Sequence, residues 1–374
     1  MSTASSRMPA HSPSSSWFFS CVLRGCSARR RGNFIRRHPQ VEVPSRLISP
    51  SLIWAGVGIL GLVIWPFLIG QYWLQITIVS GVFVILAVSL NLIMGIAGQL
   101  SIAHAAFYGI GAYTSALLTL RLGLSFWVSL PLAMVFTAFL GYLIAIPALR
   151  LRGHYLAIVT LGFGVLIYQV LERWESMTRG VMALTGIPRP TPFLGITFRT
   201  KLPYYYLLLI LIGIVVFVVY RIVNSRVGLA LKSVREDEVS AQALGVNTYH
   251  YKVAVFSVGT ALAGIAGGFH AHYQRVLAPD EFSFVDSVRI LMMVIVGGMG
   301  SVSGSILGAL VLIWLPEILR AMGDFRDLVY GLAVILIVIF IPGGLMEMFR
   351  RSVAFLQRQF GLSASGDDSV VRRD

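Results

Sequence analysis

The chain has 374 residues, 56% of them hydrophobic and only 12% charged. Soluble domains carry about 25% charged residues, so this composition excludes a soluble globular protein and reads as a polytopic membrane protein. Net charge is +14, and 8 of the 30 basic residues precede residue 50, which points to membrane topology and anionic lipid and away from nucleic acid.

Residues 1–48 are expected to form a disordered, basic cytoplasmic tail. It holds both cysteines, Cys21 and Cys26, so no disulfide framework or thiolate metal site is expected. The apolar run Trp17 to Leu23 is too short for a signal core, and Arg29, Arg30 and Arg31 follow it directly, against a lipoprotein or twin-Arg signal.

A membrane domain is expected over residues 49–348. Apolar stretches able to span about 30 Å of hydrocarbon fall near 51–70, 73–94, 101–120, 126–147, 155–173, 203–223, 252–274, 301–319 and 327–346. The run Ile290 to Met299 is too short to cross unless Phe282 to Arg289 extends it, so it reads as a broken or re-entrant piece. Arg29, Arg30, Arg31, Arg36, Arg37 and Arg46 hold the N-terminus inside. Arg350, Arg351 and Arg358 draw the tail 349–374 inside too, which requires an even number of crossings. The expected fold class is therefore all-α: about ten transmembrane crossings, some broken or partial, with both termini cytoplasmic.

Glycines interrupt two hydrophobic regions, Gly95, Gly98, Gly109 and Gly111 in one, Gly297, Gly298 and Gly300 in the other. Matched interruptions in two halves of a transporter mark a substrate path, because unwound backbone is tolerated where it lines a cavity. The alternative is close helix packing, which also explains Gly300, Gly304 and Gly308 at every fourth residue. Polar side chains gather near the same places: Asn91, Gln99, Ser101, His104, Tyr108 and Tyr113, with Tyr155 and Thr160 opening a later span. In hydrocarbon such groups need partners, so they either bond between helices or line a route for a small polar solute.

No bond-making chemistry is legible. Lys201, Lys232 and Lys252 never follow a Gly-rich phosphate loop, and His-Glu-x-x-His, Gly-x-Ser-x-Gly and Cys-x-x-Cys patterns are absent. His270 and His272, two apart on a helix, face different directions and are not expected to hold a metal. No Asp or Glu occupies the middle of a confident span, which argues against an ion-coupled secondary carrier and for energy arriving from elsewhere. A passive channel remains a third class.

Between the sixth and seventh apolar stretches, residues 224–250 are polar. Ser233 with Glu236 reads as a capping box, and Glu236, Asp237 and Glu238 suit the first turn of a helix. Val239, Ala243 and Val246 would then share a face, and Gly245 would end the helix. The segment is either a solvated loop helix or a helix that docks in a partner's groove.

Several motifs in order carry a family resemblance. They are Asn91-Leu-Ile-Met-Gly-Ile-Ala-Gly-Gln-Leu-Ser101 with His104-Ala-Ala-Phe-Tyr-Gly-Ile-Gly-Ala-Tyr113, and Leu151-Arg-Gly-His-Tyr-Leu-Ala-Ile-Val-Thr-Leu161. Ser225-Arg-Val-Gly-Leu-Ala-Leu-Lys-Ser-Val-Arg-Glu-Asp-Glu238, Ala243-Leu-Gly245, Gly297-Gly-Met-Gly-Ser301 and Gly308-Ala309 follow. From about Leu90 to Gly344 the chain resembles the permease subunits of branched-chain amino acid ABC importers, of the LivM type. The resemblance implies a bacterial inner-membrane importer and a heterodimer with a second related permease subunit. It also implies two ATP-binding subunits that use ATP and Mg, and a periplasmic substrate-binding protein. It implies no cofactor on this chain. The family's coupling loop, often Glu-Ala-Ala-x-x-x-Gly, corresponds to Glu238-Val-Ser-Ala-Gln-Ala-Leu-Gly245, one residue longer. Coupling to the ATPase is then expected at Arg235, Glu236, Asp237, Glu238, Ala241 and Gly245, and the substrate path at the glycine and polar positions above. Thr178-Arg-Gly180 and Thr185-Gly186 only partly match the family's outer-loop Thr-Gly-Gly. The wider family carries branched-chain or other amino acids, urea, short amides or aromatic acids.

Overall fold

The computed structural model describes residues 61–348 apart from 152, 193, 194, 196 and 342. The two expected tails and the first half of the 51–70 stretch lie outside the described residues.

The fold is mostly helical. Its helices are α1 (Gln71–Asn91), α2 (His104–Leu122), α3 (Phe126–Ala148), α4 (His154–Arg173), the short α5 (Glu175–Thr178) and α6 (Lys201–Val223). Then come α7 (Arg226–Glu236), α8 (Glu238–Ala243), α9 (Thr248–Gln274), α10 (Phe284–Gly297), α11 (Val302–Ile318) and α12 (Arg326–Phe340). Among the described residues, six helical segments are long and apolar enough to cross a membrane: Gln71–Ile96, Phe126–Ala148, Tyr155–Arg173, Lys201–Val223, Thr248–Gln274 and Val302–Gly323. The one departure from an all-α fold among the described residues is a two-residue antiparallel pair, β1 (Leu184–Thr185) with β2 (Val276–Leu277).

Burial separates a core from a rim. Windows within α1 and α9 are mostly buried, whereas those of α4, α6 and α11 face outward over much of their surface. The α9 helix packs against α2 and α3 on one side and α1 on another. Small residues permit that position. A Cβ added at Gly267 would lie 2.1 Å from the Tyr108 carbonyl oxygen, and one at Gly111 would lie 2.5 Å from the Gly264 Cα. Backbones that approach this closely gain van der Waals contact that bulkier side chains would forbid, which is how helices associate without water to drive them. The packing reading of the second glycine series holds here too, since a Cβ on Gly308 would meet the Met293 oxygen at 2.1 Å across the α10–α11 contact.

Three expected stretches change shape. The 73–94 span is α1 continued by a π-helical turn, Leu92–Ile96. The 101–120 span becomes a helix only at His104, leaving 98–103 as non-helical backbone. The short run Ile290 to Met299 belongs to α10, which begins at Phe284 and stops at Gly298, whose φ of 113° a side-chain-bearing residue rarely adopts. At 1.5 Å per residue α10 covers about 21 Å, short of a full bilayer.

Replacing Gly267 by Leu is expected to lower stability by about 1–3 kcal/mol through overpacking of α9 against α2. Gly213→Leu, where nothing lies within 4 Å of an added Cβ, is the control expected to change little. Thermal unfolding in detergent compares the two directly.

Candidate functional site

The two breaks in the helical ladder meet. At the end of α1 the Asn91 Oδ1 accepts a hydrogen bond from the Gly300 backbone N–H at 2.8 Å, across 209 residues of sequence. Gly95 sits inside this contact. A Cβ there would lie 1.9 Å from Asn91 Oδ1 and 2.5 Å from the Gly300 nitrogen, so only glycine fits. π-Helical turns such as Leu92–Ile96 free a carbonyl from the regular ladder. The Gly95 carbonyl accepts from the guanidinium of Arg235, the penultimate residue of α7. The aliphatic stem of Arg235 runs beside Gly98, where an added Cβ would lie 3.0 Å from its Cγ, and its Nη1 would lie 2.9 Å from a Cβ on Gly300. The π-turn, α7 and the α10–α11 break thus share one junction.

A second set of contacts ties α8 to the start of α9. Glu238 forms an ion pair with Lys252 at 2.8 Å and accepts from the Thr248 hydroxyl at 3.3 Å, while Gln242 Nε2 donates to the same hydroxyl at 2.8 Å. Gln99 joins in by donating from Nε2 to the Lys252 carbonyl at 3.0 Å. Ala241 is buried beneath them. Between the two sets lies a cavity of about 360 Å³, lined among others by Gly98, Gln99, Leu149, Leu156, Arg235 and Lys252. Its walls combine aliphatic side chains with charges of both signs.

The polar segment folds otherwise than its capping box implies. Ser225, not Ser233, caps α7, accepting from the Gly228 N–H at 3.4 Å. Ser233 lies within that helix and bonds back to the Ala230 carbonyl at 2.8 Å. Glu236 therefore ends a helix where it was expected in a first turn. Asp237 starts the next one, leaving helical geometry (φ −151°) and accepting from the Val239 N–H at 2.8 Å and the Ser240 N–H at 3.1 Å. An Asp whose oxygen reaches both amides competes well against continuing the helix. Hydrogen bonds from the Ser240 amide, its hydroxyl and the Val239 amide hold the Asp237 carboxyl below the usual carboxylate range. Gly245 does end the helix, at φ 84°. The Val246 N–H returns to the Ala241 carbonyl and the Gly245 N–H to the Gln242 carbonyl, the Schellman pattern. Val246 is thereby removed from the expected face. Leu244, the residue that caps the helix, is 83% exposed, and Val239 in the first turn also faces outward.

Other expected positions fall elsewhere. Ser101 is buried, and Thr160 accepts from the Ile102 N–H at 3.1 Å, binding the non-helical stretch to α4. His104 Nε2 lies 2.7 Å from Ser89 Oγ, which is also 2.9 Å from the Leu86 carbonyl oxygen. Tyr108 and Tyr113 pack on Phe282, with ring centroids 5.0 and 5.8 Å away, and Tyr113 donates to the Leu277 carbonyl at 3.3 Å. Gly297 packs on Gly304, and Gly298 faces the Gly343 oxygen. Tyr155 is 70% exposed and joins none of these groups. His270 pairs with Glu281 at 2.9 Å and His272 with the Pro188 carbonyl. Lys252, Thr248 and Ser89 were not singled out by the sequence, because side-chain partners 6 to 15 residues away, across a turn or a break, leave no periodic trace.

A bundle with six crossing-length helices and two interlocked breaks is a multi-pass membrane protein of the transporter kind. Residues 72–341 match the family described as branched-chain amino acid transport system / permease component, and the chain belongs to that family, whose members are non-catalytic permease subunits of ABC transporters. It is 36% identical over 311 residues to the high-affinity branched-chain amino acid transport system permease protein LivM of Escherichia coli, covering 77% of this chain and 73% of that one. It is 26% identical over 291 residues to BraD of Pseudomonas aeruginosa (72% and 92% covered) and 24% over 289 residues to LivH of Salmonella typhimurium (71% and 91%). No solved structure matches the chain.

Because the folded Asp237 carboxyl titrates below its unfolded value, its cap contributes fully above the unfolded value of about 3.9 and is lost as pH falls through the lowered one. Asp237→Ala should expose the Val239 and Ser240 amides to several-fold faster hydrogen exchange at neutral pH. Asp237→Asn should keep protection and remove its acid sensitivity.

Proposed function

We propose that this chain is one permease subunit of an inner-membrane ABC importer for branched-chain amino acids. The observation that carries this reading is the 36% identity to LivM over most of both chains. In this reading a second, related permease completes the pathway as a heterodimer. Two ATPase subunits supply ATP and Mg chemistry, and a periplasmic binding protein delivers the solute. The similarity to LivH alongside LivM supports the pairing, since the two sister permeases share one ancestry with this chain.

The topology in this reading has ten crossings and cytoplasmic termini. Counting α1, α2, α3, α4, α6, α9, α10, α11 and α12 gives nine, and the 51–70 stretch is the tenth. The junction supports counting the short α10. Gly95, Arg235 and Gly300 lie together, so α1 and α10 both run toward the α7 side, and α9 and α11 both leave it. The basic N-terminal residues put that side in the cytoplasm.

Residues 224–250 act as the coupling segment, with Glu236, Asp237, Glu238, Ala241 and Gly245 shaping it. The outward apolar side chains of Val239 in α8 and of Leu244 just past its end dock in a groove of the ATPase, while Glu238 and Lys252 hold α8 to the membrane domain. ATP binding draws the two permeases' coupling segments together, and a rigid-body motion alternates access to a solute held between the subunits. Urea, short amides or aromatic acids are the alternative solutes. An ion-coupled carrier or a passive channel would differ in needing no ATPase.

Uptake by proteoliposomes separates these readings. Leucine should accumulate only with the partner permease, both ATPases, the binding protein and ATP, and a protonophore should not abolish it. Accumulation by this chain alone would overturn the reading. Leu244→Asp changes a side chain that supports nothing internally, so the chain should still insert. Its binding to the ATPase should weaken by about 2 kcal/mol, as for loss of an apolar anchor, measured by copurification at graded concentrations.

A further inference from the structure

Resting on the importer reading, the junction itself has a more specific role. The polar segment holds two kinds of contact. One is the tie of α8 to α9 through Glu238 and Lys252, which keeps the docking helix in place. The other is Arg235, which reaches out of α7 to the Gly95 carbonyl and runs beside Gly98 and Gly300. Arg235 thus belongs with the residues of the membrane domain, although sequence grouped it with the partner-facing acids. What it touches are two places where the backbone leaves regular helical geometry, the π-turn of α1 and the α10–α11 break. These two places are already locked together by the Asn91 Oδ1 and Gly300 N–H hydrogen bond of 2.8 Å.

We propose that Arg235 is the transmission residue of this permease: the contact through which displacement of α7 reaches the π-turn of α1 and the α10–α11 break together. The chemistry suits the task. A guanidinium offers a planar fork of donors that serves a carbonyl and stays charged, and a cation is favoured against the free carbonyls at a helix C-terminus. Glycine at 95 and 300 lets that fork approach backbone directly. Rigid elements would transmit motion only partly without it, because α8 stays fastened to α9 while α7 loses its grip on both breaks. Arg235 is a positioning residue, since in this account it acts on backbone and touches neither nucleotide nor solute.

The test uses the whole transporter in proteoliposomes, with ATP hydrolysis and leucine uptake measured on the same preparation for wild type, Arg235→Ala and Arg235→Lys. Expected for Arg235→Ala is an assembled complex with ATP hydrolysis unchanged and uptake lower by about tenfold, within the usual range for loss of a coupling contact. The ratio of ATP hydrolysed to leucine moved rises accordingly. Arg235→Lys keeps the charge without the fork and should recover part of the uptake. A merely structural role would lower hydrolysis and uptake together and leave the ratio fixed, which overturns the proposal, as does undiminished uptake by Arg235→Ala. If Arg235→Ala fails to assemble, the ratio in Arg235→Lys decides: raised supports, unchanged overturns. Wild-type uptake independent of ATP would reject the importer reading itself, a separate result.

Discussion

In hydrocarbon, a backbone that leaves the helix must find its partners within the protein. Among the described residues this chain leaves it at residues 92–103 and again at 298–301, and one hydrogen bond, Gly300 N–H to Asn91 Oδ1, ties the second break to the first. The remaining contacts build on that bond. Gly95 must lack a side chain to permit it, its freed carbonyl gives Arg235 an acceptor, and α7 is anchored where the two breaks meet. Two irregular segments, each costly alone, become one ordered junction.

The junction also organises the larger fold. The buried helices α1 and α9 flank it, and the small residues of α9 let α2 and α3 pack closely against that helix. The lipid-facing helices at the rim need only be apolar, and α12 has no fully buried residue. Stability thus resides in the close-packed centre, and the irregular backbone that a transporter needs sits where that centre can support it. The cavity beside Arg235 and Lys252 lies at this same boundary between tight packing and the polar segment.

Much of this was legible in the sequence. Apolar length revealed the helices, because every crossing must bury about the same thickness of hydrocarbon. Of the glycine interruptions, Gly95, Gly98, Gly297, Gly298 and Gly300 fall at the two breaks, with Asn91 beside the first, whereas Gly109 and Gly111 lie inside α2 as packing contacts. Two things were not legible. Ser233 and Glu236 have the spacing of a capping box, yet Ser225 and Asp237 cap the helices actually formed, since local spacing cannot say which of several capable oxygens wins. Arg235 reads as one of a run of charges, and only the fold brings a carbonyl 140 residues away within its reach. Tyr155, at the head of an apolar span, is exposed and joins neither break.

The account centres on α7 and the two breaks moving as one body. Spin labels at Lys232 on α7 and Met299 in the second break, both exposed, report on this in the assembled transporter. The distance between them should stay constant through the nucleotide cycle, while the distance from Lys232 to a label at Leu122, at the far end of α2, changes. A Lys232 to Met299 distance that shifts by several ångströms when ATP binds would contradict it.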